Sequence, residues 1–392
     1  MHAGQASIAT RSFLIIHDKD GCQYQPFIMV RSLTIYAIFR IERPGEIHLR
    51  LIDLRSDTFT LPTKEMMDSI QSAELGDDVE KEDPTVNQLQ EMSADMFGAE
   101  GALLVTSGTM GNLVSLMTHC RRGDEVFLES EAHIYYYELG GVSALVGAIP
   151  RLIKGNGGKF SPEQLEASIR HQDLHYPIPS LVCIENTHNR AGGTVWTPRE
   201  VEEVSKVAHD HGLKVHCDGA RIFNAAVALD VDVKEYMRHL DSITFCLSKG
   251  LSCPIGSVVV GNSEFIEGVT RARKMVGGGM RQAGVVAAPG VVALQNMIGR
   301  LKEDHRNARR MAEGLNDIPG ISVDLDTVQT NIVLADITGT GWDVDYFVNR
   351  ACKIGVQVFE FGATKARFVT HYGIDEQDVD DALARLRRLL ER

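Results

Sequence analysis

The 392-residue sequence contains no apolar run long enough to cross a bilayer as a helix, which takes about 20 residues. No membrane partner is expected. It has no CxxC pair, and its seven cysteines (Cys22, Cys120, Cys183, Cys217, Cys246, Cys253, Cys352) are scattered and odd in number. Neither a disulfide framework nor a zinc ribbon is therefore specified. Several sit in apolar runs, such as Leu181-Val182-Cys183-Ile184, and read as buried free thiols in a reducing compartment. Positive charge is also scarce. The net charge of −13 argues against nucleic acid as a partner, because phosphate binding needs a basic face. His209 and His211 are two apart, off a common helical face, so no metal site is expected. There is no internal repeat, no low-complexity tract and no secretory pattern. A cytoplasmic protein is expected, with organellar targeting by residues 1–50 as the alternative.

The composition, 44% hydrophobic and 24% charged, is that of a soluble globular chain long enough for two or three domains. Residues 1–50 lack clear helical or strand periodicity and read as a poorly ordered extension of unknown role. From Leu51 onward strand-like and helix-like segments alternate. Apolar runs at Ala102–Thr106, Glu125–Leu128, Leu181–Glu185, Lys214–Cys217, Asp241–Leu247 and Ser257–Val260 read as strands. Ser161-Pro162-Glu163 and Thr197-Pro198-Arg199-Glu200 open helices, each with a cap and a proline at the first position. This is an α/β pattern: a mostly parallel central sheet with helices on both faces. A long helix from about 282 to 310 then leaves that domain. Strand candidates at Ile321–Val323, Asn331–Ala335 and Arg367–Thr370 and a last helix at Asp375–Leu390 suggest a smaller C-terminal α+β domain. The expected division is 65–300 for the large domain, with 51–64 and 301–392 forming the small one.

In open α/β sheets ligands gather at the carboxyl ends of the strands. Asp218 ends one strand there, and Lys249 follows another within Ser248-Lys249-Gly250. An amine and an acid so placed suit pyridoxal phosphate. The amine condenses with the aldehyde, and the acid keeps the pyridine nitrogen protonated, which makes the ring an electron sink. Ser107-Gly108-Thr109-Met110-Gly111-Asn112 opens a helix whose backbone N–H groups favour an anion. Gly108 and Thr109 are candidate phosphate ligands. Arg221 either pairs with Asp218 or reaches the cofactor's phenolic oxygen. His133 stacks on the ring or caps a helix, unless one of Tyr135, Tyr136 or Tyr137 does the stacking. Arg367 is either an edge-strand arginine or the partner of a substrate carboxylate.

Six ordered motifs over residues 51–392 carry a family resemblance. They are Asp53-Leu54-Arg55-Ser56-Asp57-Thr58, the Ser107–Asn112 turn, His133 through Glu138, Glu185-Asn186-Thr187-His188-Asn189, Asp218-Gly219-Ala220-Arg221 and Ser248-Lys249-Gly250-Leu251. The chain resembles the low-specificity L-threonine aldolases, which are fold-type I pyridoxal-phosphate enzymes close to the β-eliminating lyases. The resemblance implies that Lys249 binds the cofactor aldehyde and Asp218 its ring nitrogen. It makes Gly108 and Thr109 phosphate ligands, His133 the stacking residue and Arg221 the contact to the phenolic oxygen. Ser56 and Arg367 would hold the substrate carboxylate, and His175 would lie near the substrate hydroxyl. Arg281 would reach a phosphate in a neighbouring subunit of a homotetramer with shared sites. The implied reaction is retro-aldol cleavage of threonine or allo-threonine to glycine and an aldehyde, with His133, His175 or a held water as the base. A β-eliminating lyase, an aminotransferase and a non-catalytic cofactor-binding regulator are the rival readings.

Overall fold

The computed structural model describes residues 10–18, 21–29, 50–171 and 173–391. The expectation for residues 1–50 falls largely outside them. Within that stretch β1 (Thr10–Asp18) and β2 (Gly21–Met29) pair antiparallel, Thr10 opposite Met29 and Asp18 opposite Gly21. The sequence pattern does not signal this pair, because Phe13-Leu14-Ile15-Ile16 is a continuous apolar run and not an alternation.

β3 (Ile52–Asp53) opens the main body and finds its partner some 300 residues on. The central sheet follows. Its strands are β4 (Gly101–Val105), β5 (Glu125–Glu129), β6 (Ile149–Ile153), β7 (Pro179–Glu185), β8 (Lys214–Asp218), β9 (Ser242–Cys246) and β10 (Ser257–Gly261). Their order is β4-β10-β9-β8-β7-β5-β6. Pairing from β6 through β9 is parallel, and β10 runs against both β9 and β4. β5, β9 and β10 are buried throughout and β7 and β8 over all but their first residues, as a sheet covered on both faces requires.

β6 is absent from the sequence expectation. Pro150 and Arg151 interrupt its apolar pattern, and a strand interrupted by proline is tolerated at a sheet edge, where β6 lies. The single long helix expected over 282–310 is also two. Gly284–Asn296 and Leu301–Asn316 meet at a 73° bend. Gly299 lies in the break, and a glycine weakens a helix there by roughly 1 kcal/mol relative to alanine. The bend passes the chain from one core to another. Ala287 and Ala293 before it belong to the core of the large sheet. Ala308, Met311 and Leu315 after it belong to a second core with Phe347, Phe368 and Leu386.

Ile52 and Leu54 join that second core, so the start of the main body packs with its end. Its strands are β11 (Ile332–Asp336), β12 (Val356–Gln357), β13 (Phe359–Phe361) and β14 (Lys365–Val369). They form the antiparallel sheet β11-β14-β13 and the parallel pair β12-β3. The expected strand at Ile321–Val323 reduces to one bridge between Ser322 and Asp336. Cys120, Cys183, Cys217, Cys246 and Cys253 are free and buried. Cys352 is disulfide-bonded, which departs from the reading of free thiols throughout.

Phe245 on β9 anchors the large core. Its ring stacks on Phe97 at 5.3 Å and meets Phe223 edge-on at 5.3 Å. Phe245→Ala is expected to cost about 3–5 kcal/mol in urea unfolding. A loss below about 1 kcal/mol would show that the cluster closes over the gap.

Candidate active site

The reversal of β10 decides where Lys249 lies. A parallel successor to β9 would need a crossover, whereas the antiparallel β10 returns directly. The loop between them therefore stays at the carboxyl edge of the sheet. It is closed by bonds from Leu247 N to Gly256 O (3.0 Å) and from Ser252 N to Lys249 O (2.8 Å). Asp218 ends β8 at the same edge and is buried. Its Oδ1 accepts from Ala220 N (3.1 Å) and its Oδ2 from the Asn112 amide (2.9 Å).

The helix Gly108–His119 begins where β4 ends, so its first turn faces this edge too. Ser107 caps it by accepting from Met110 N, leaving the Gly108 and Thr109 N–H groups without acceptors among the described residues. Gly108 is required by space: a Cβ there would come within 2.8 Å of Cys246 Sγ. The Ser257 hydroxyl, 3.8 Å from that Cβ position, is buried without a hydrogen-bond partner. Unfilled N–H groups, an orphan hydroxyl and a glycine cradle fit a phosphate. With Lys249 and Asp218 beside them, the residues fit pyridoxal phosphate.

Arg221 pairs with Asp57 and not with Asp218. Its Nε and Nη2 donate to the two Asp57 carboxylate oxygens, both at 2.7 Å, and both side chains are buried. Asp57 itself is missing from the expected site. Burial alone would raise its carboxyl, but Arg221, helped by Lys249 and Arg367, holds it well below the usual carboxylate range. Lys249, Arg221 and Arg367 therefore converge on one acid. The Arg221 Nη1 is left for a further acceptor.

Arg367 lies on β14 in the second core, yet it reaches this edge. Its Nη1 donates to the carbonyl of Arg55 (3.1 Å), the residue before Ser56, and its Nη2 to Asn189 Oδ1 (3.0 Å). Its Nε is buried without a partner. Burial, with Arg221 nearby, pulls the guanidinium down to about 10. A buried cation without its own carboxylate is an anion site in waiting. Ser56, also buried, caps the short turn Asp57–Phe59, its Oγ accepting from Thr58 N.

His133 starts the short helix His133–Tyr136 and caps nothing with its side chain. Its backbone N–H donates to Glu185 Oε2 (2.7 Å), and its Nδ1 lies 3.0 Å from Glu138 Oε1. Burial pulls its proton affinity down, but Glu138, Asp218 and Glu185 outweigh burial and raise it, with Lys249 opposing. Burial and then Asp218 raise Glu138 as well. One ligand atom each from His133, Glu138 and Asp218 falls within a 4.8 Å cluster. The Asn112 amide donates to both acids, so hydrogen bonds already occupy this cluster. Tyr137, 5.4 Å from His133 between ring centres, accepts from Arg190.

His175 stands apart from these residues within the protomer. It lies four residues before β7, at the amino edge of a parallel strand whose carboxyl end carries Glu185. Its side chain is 85% exposed and pairs with Asp173. Within one protomer it is not brought to the site. Arg281 is likewise exposed, and its Nη1 pairs with Asp77 Oδ2 (2.9 Å). Asp57, Asn112, Glu138 and Glu185 were legible only as motif letters, and His216 only as part of a strand. His216 offered one further signal, since strand periodicity puts it on the same face as Asp218.

Residues 53–338 match the β-eliminating lyase family. The chain is 44% identical over 344 residues to a probable low-specificity L-threonine aldolase 2 of Arabidopsis thaliana, covering 86% of this chain and 96% of that protein. It is 38% identical over 343 residues to the low specificity L-threonine aldolase of Escherichia coli K12, covering 87% and 100%. Among solved structures it is similar to a threonine aldolase of Leishmania major, with a TM-score of 0.74 and 18% identity over 86% of this chain and 99% of that one. That last likeness is one of fold.

Asp57→Ala would leave the Arg221 charge buried and unpaired, at an expected cost of about 3–5 kcal/mol in urea unfolding. Because the folded Asp57 carboxyl is held below its ordinary 3.8, the pair's contribution is complete above that pH and fades as pH falls further. The same penalty is therefore expected at pH 6 and pH 8. A penalty present at one and absent at the other would contradict the assignment.

Proposed function

The chain belongs to the β-eliminating lyase family, and from that premise we propose that it cleaves threonine, allo-threonine and related β-hydroxy-α-amino acids to glycine and an aldehyde. Pyridoxal phosphate is the cofactor. The observation that carries this reading is the convergence of Lys249, Asp218, His133 and Arg367, whose buried Nε lacks a partner, on one sheet edge. The names of the curated relatives support the substrate class. They do not favour the aminotransferase or the non-catalytic regulator.

When bound, pyridoxal phosphate supplies an aldehyde for amine condensation and a protonated ring that takes up electrons from a bond broken at Cα. Lys249 offers the amine from a loop anchored by strands on both sides. Asp218 would accept the ring N–H. The first-turn N–H groups of Gly108 and Thr109 would hold the phosphate, and the Nη1 of Arg221 would serve the phenolic oxygen. Arg281 contributes to a phosphate across a subunit contact.

Arg367 and Ser56 bind the substrate carboxylate. The guanidinium gains the anion it lacks and fixes which bond to Cα stands across the ring plane. With His175 displaced, His133 is the base this reading favours. Its Nδ1–H donates to Glu138, which leaves the Nε2 lone pair free to take the β-hydroxyl proton. The support of Glu138 raises the basicity of that nitrogen. A held water stays the alternative carrier of the same proton.

A cytoplasmic homotetramer completes the reading. The fully exposed Leu139 and the nearly fully exposed Leu174 support further subunit contacts. The five free cysteines support a reducing compartment, and the Cys352 disulfide counts against it.

The direct test is release of acetaldehyde and glycine from threonine by the purified protein with pyridoxal phosphate. Release of ammonia and a keto acid instead would overturn the aldolase reading. Lys249→Ala is expected to lose both the visible absorption band of the bound cofactor and the activity; an unchanged band would remove Lys249 from its role. Arg367→Ala is expected to keep the band but raise KM by about 10²-fold, from the roughly 2–5 kcal/mol lost when one member of a buried charge pair is removed. Kinetics like those of the wild type would place the carboxylate elsewhere.

A further inference from the structure

A line of polar side chains runs beneath the helix Gly108–His119, from the carboxyl edge of the sheet to its amino edge. The Asn112 amide nitrogen donates to Asp218 Oδ2 and to Glu138 Oε1, both at 2.9 Å. The Asn112 carbonyl oxygen meets His216 Nε2 at 3.2 Å. His216 Nδ1 meets Ser242 Oγ at 2.8 Å, and that oxygen meets His119 Nε2 at 2.7 Å. Asn112, His216 and Ser242 are buried, while His119 is part-exposed and stacks on Phe265.

The partners fix the direction of every proton. Both amide hydrogens of Asn112 lie on carboxylates, since the reverse orientation would set its carbonyl against two acids. Its carbonyl then needs a donor, so His216 Nε2 carries a hydrogen. Burial draws His216 down to about 3 and His119 to about 4, so both rings are neutral. The lone pair of His216 is then at Nδ1 and accepts from the Ser242 hydroxyl, which in turn accepts from His119 Nε2–H. All the donors point one way, toward Asp218 and Glu138, and aligned donors strengthen one another.

We propose that Asn112 is a positioning residue for the cofactor ring, held in place by the string His119–Ser242–His216, and that its donation to Asp218 keeps the shared proton on the ring nitrogen. This rests on the pyridoxal-phosphate reading of the site. A carboxylate that accepts N–H bonds loses proton affinity. Without the Asn112 donor, Asp218 faces Glu138 unscreened in a buried site, and its proton affinity rises. The proton then moves from the ring to the acid, and the ring's capacity as an electron sink falls.

The test is nitrogen NMR of the full-length protein carrying pyridoxal phosphate labelled with ¹⁵N in the ring. In the wild type the signal is expected at the pyridinium position. Asn112→Leu is expected to bind the cofactor and shift the signal toward neutral pyridine. Asn112→Ser, which keeps a single donor, is expected to fall between and carries the test if the leucine variant does not fold. Ser242→Ala, remote from the cofactor, is expected to shift the signal the same way by less. A signal fixed at the pyridinium position in cofactor-bound Asn112 variants overturns the proposal, and an unmoved Ser242→Ala overturns the part of the string. If the labelled cofactor does not bind the wild type at all, the pyridoxal-phosphate reading has failed, an outcome distinct from both.

Discussion

The buried pair between Asp57 and Arg221 ties the two halves of this chain together. Asp57 follows the segment whose Ile52 and Leu54 pack in the second core, while Arg221 follows β8 of the large sheet. Neither charge tolerates burial alone, so each requires the other's presence. The pair thereby fixes the neighbouring Ser56 against the carboxyl edge of the sheet. Arg367 reaches the same place from β14 and grips the Arg55 carbonyl. Ser56 and Arg367 are thus brought to the site by the second core, and Lys249 and Asp218 by the first.

Charge in the site is arranged as an unfinished account. Asp57 pairs with Arg221 and feels the charges of Lys249 and Arg367, so the cations outnumber the acids on that side. On the other side Asp218, Glu138 and Glu185 surround His133. The cofactor's phenolic oxygen and a substrate carboxylate would balance the first group. A protonated ring nitrogen would balance the second. The two ends of one small aromatic molecule therefore meet opposite electrostatic surroundings, and this sets its orientation without shape alone having to do so.

What the sequence revealed follows from how local each signal is. Lys249 and Asp218 were readable because a strand end is a local feature and the carboxyl edge is a rule of such sheets. The Gly108 turn was readable for the same reason. Asp57 was not, because its partner lies 164 residues away. Asn112 was quoted within its motif but had no role until Asp218, 106 residues on, came beside it. The place of His175 within the protomer was not legible for a related reason: spacing along the chain does not say at which edge of a strand a residue stands. The long helix failed because Gly299 weakens a helix without forbidding it, and the two cores decide the bend. β6 was hidden by the residues that mark it as an outer strand.

That outer strand has a consequence beyond this site. A sheet margin with regular unpaired backbone groups invites another chain to add on, then another, without limit. Pro150 removes one such donor from β6, and Arg151 would bring an uncompensated charge into any flat stack. Growth by ribbon extension is discouraged along this border.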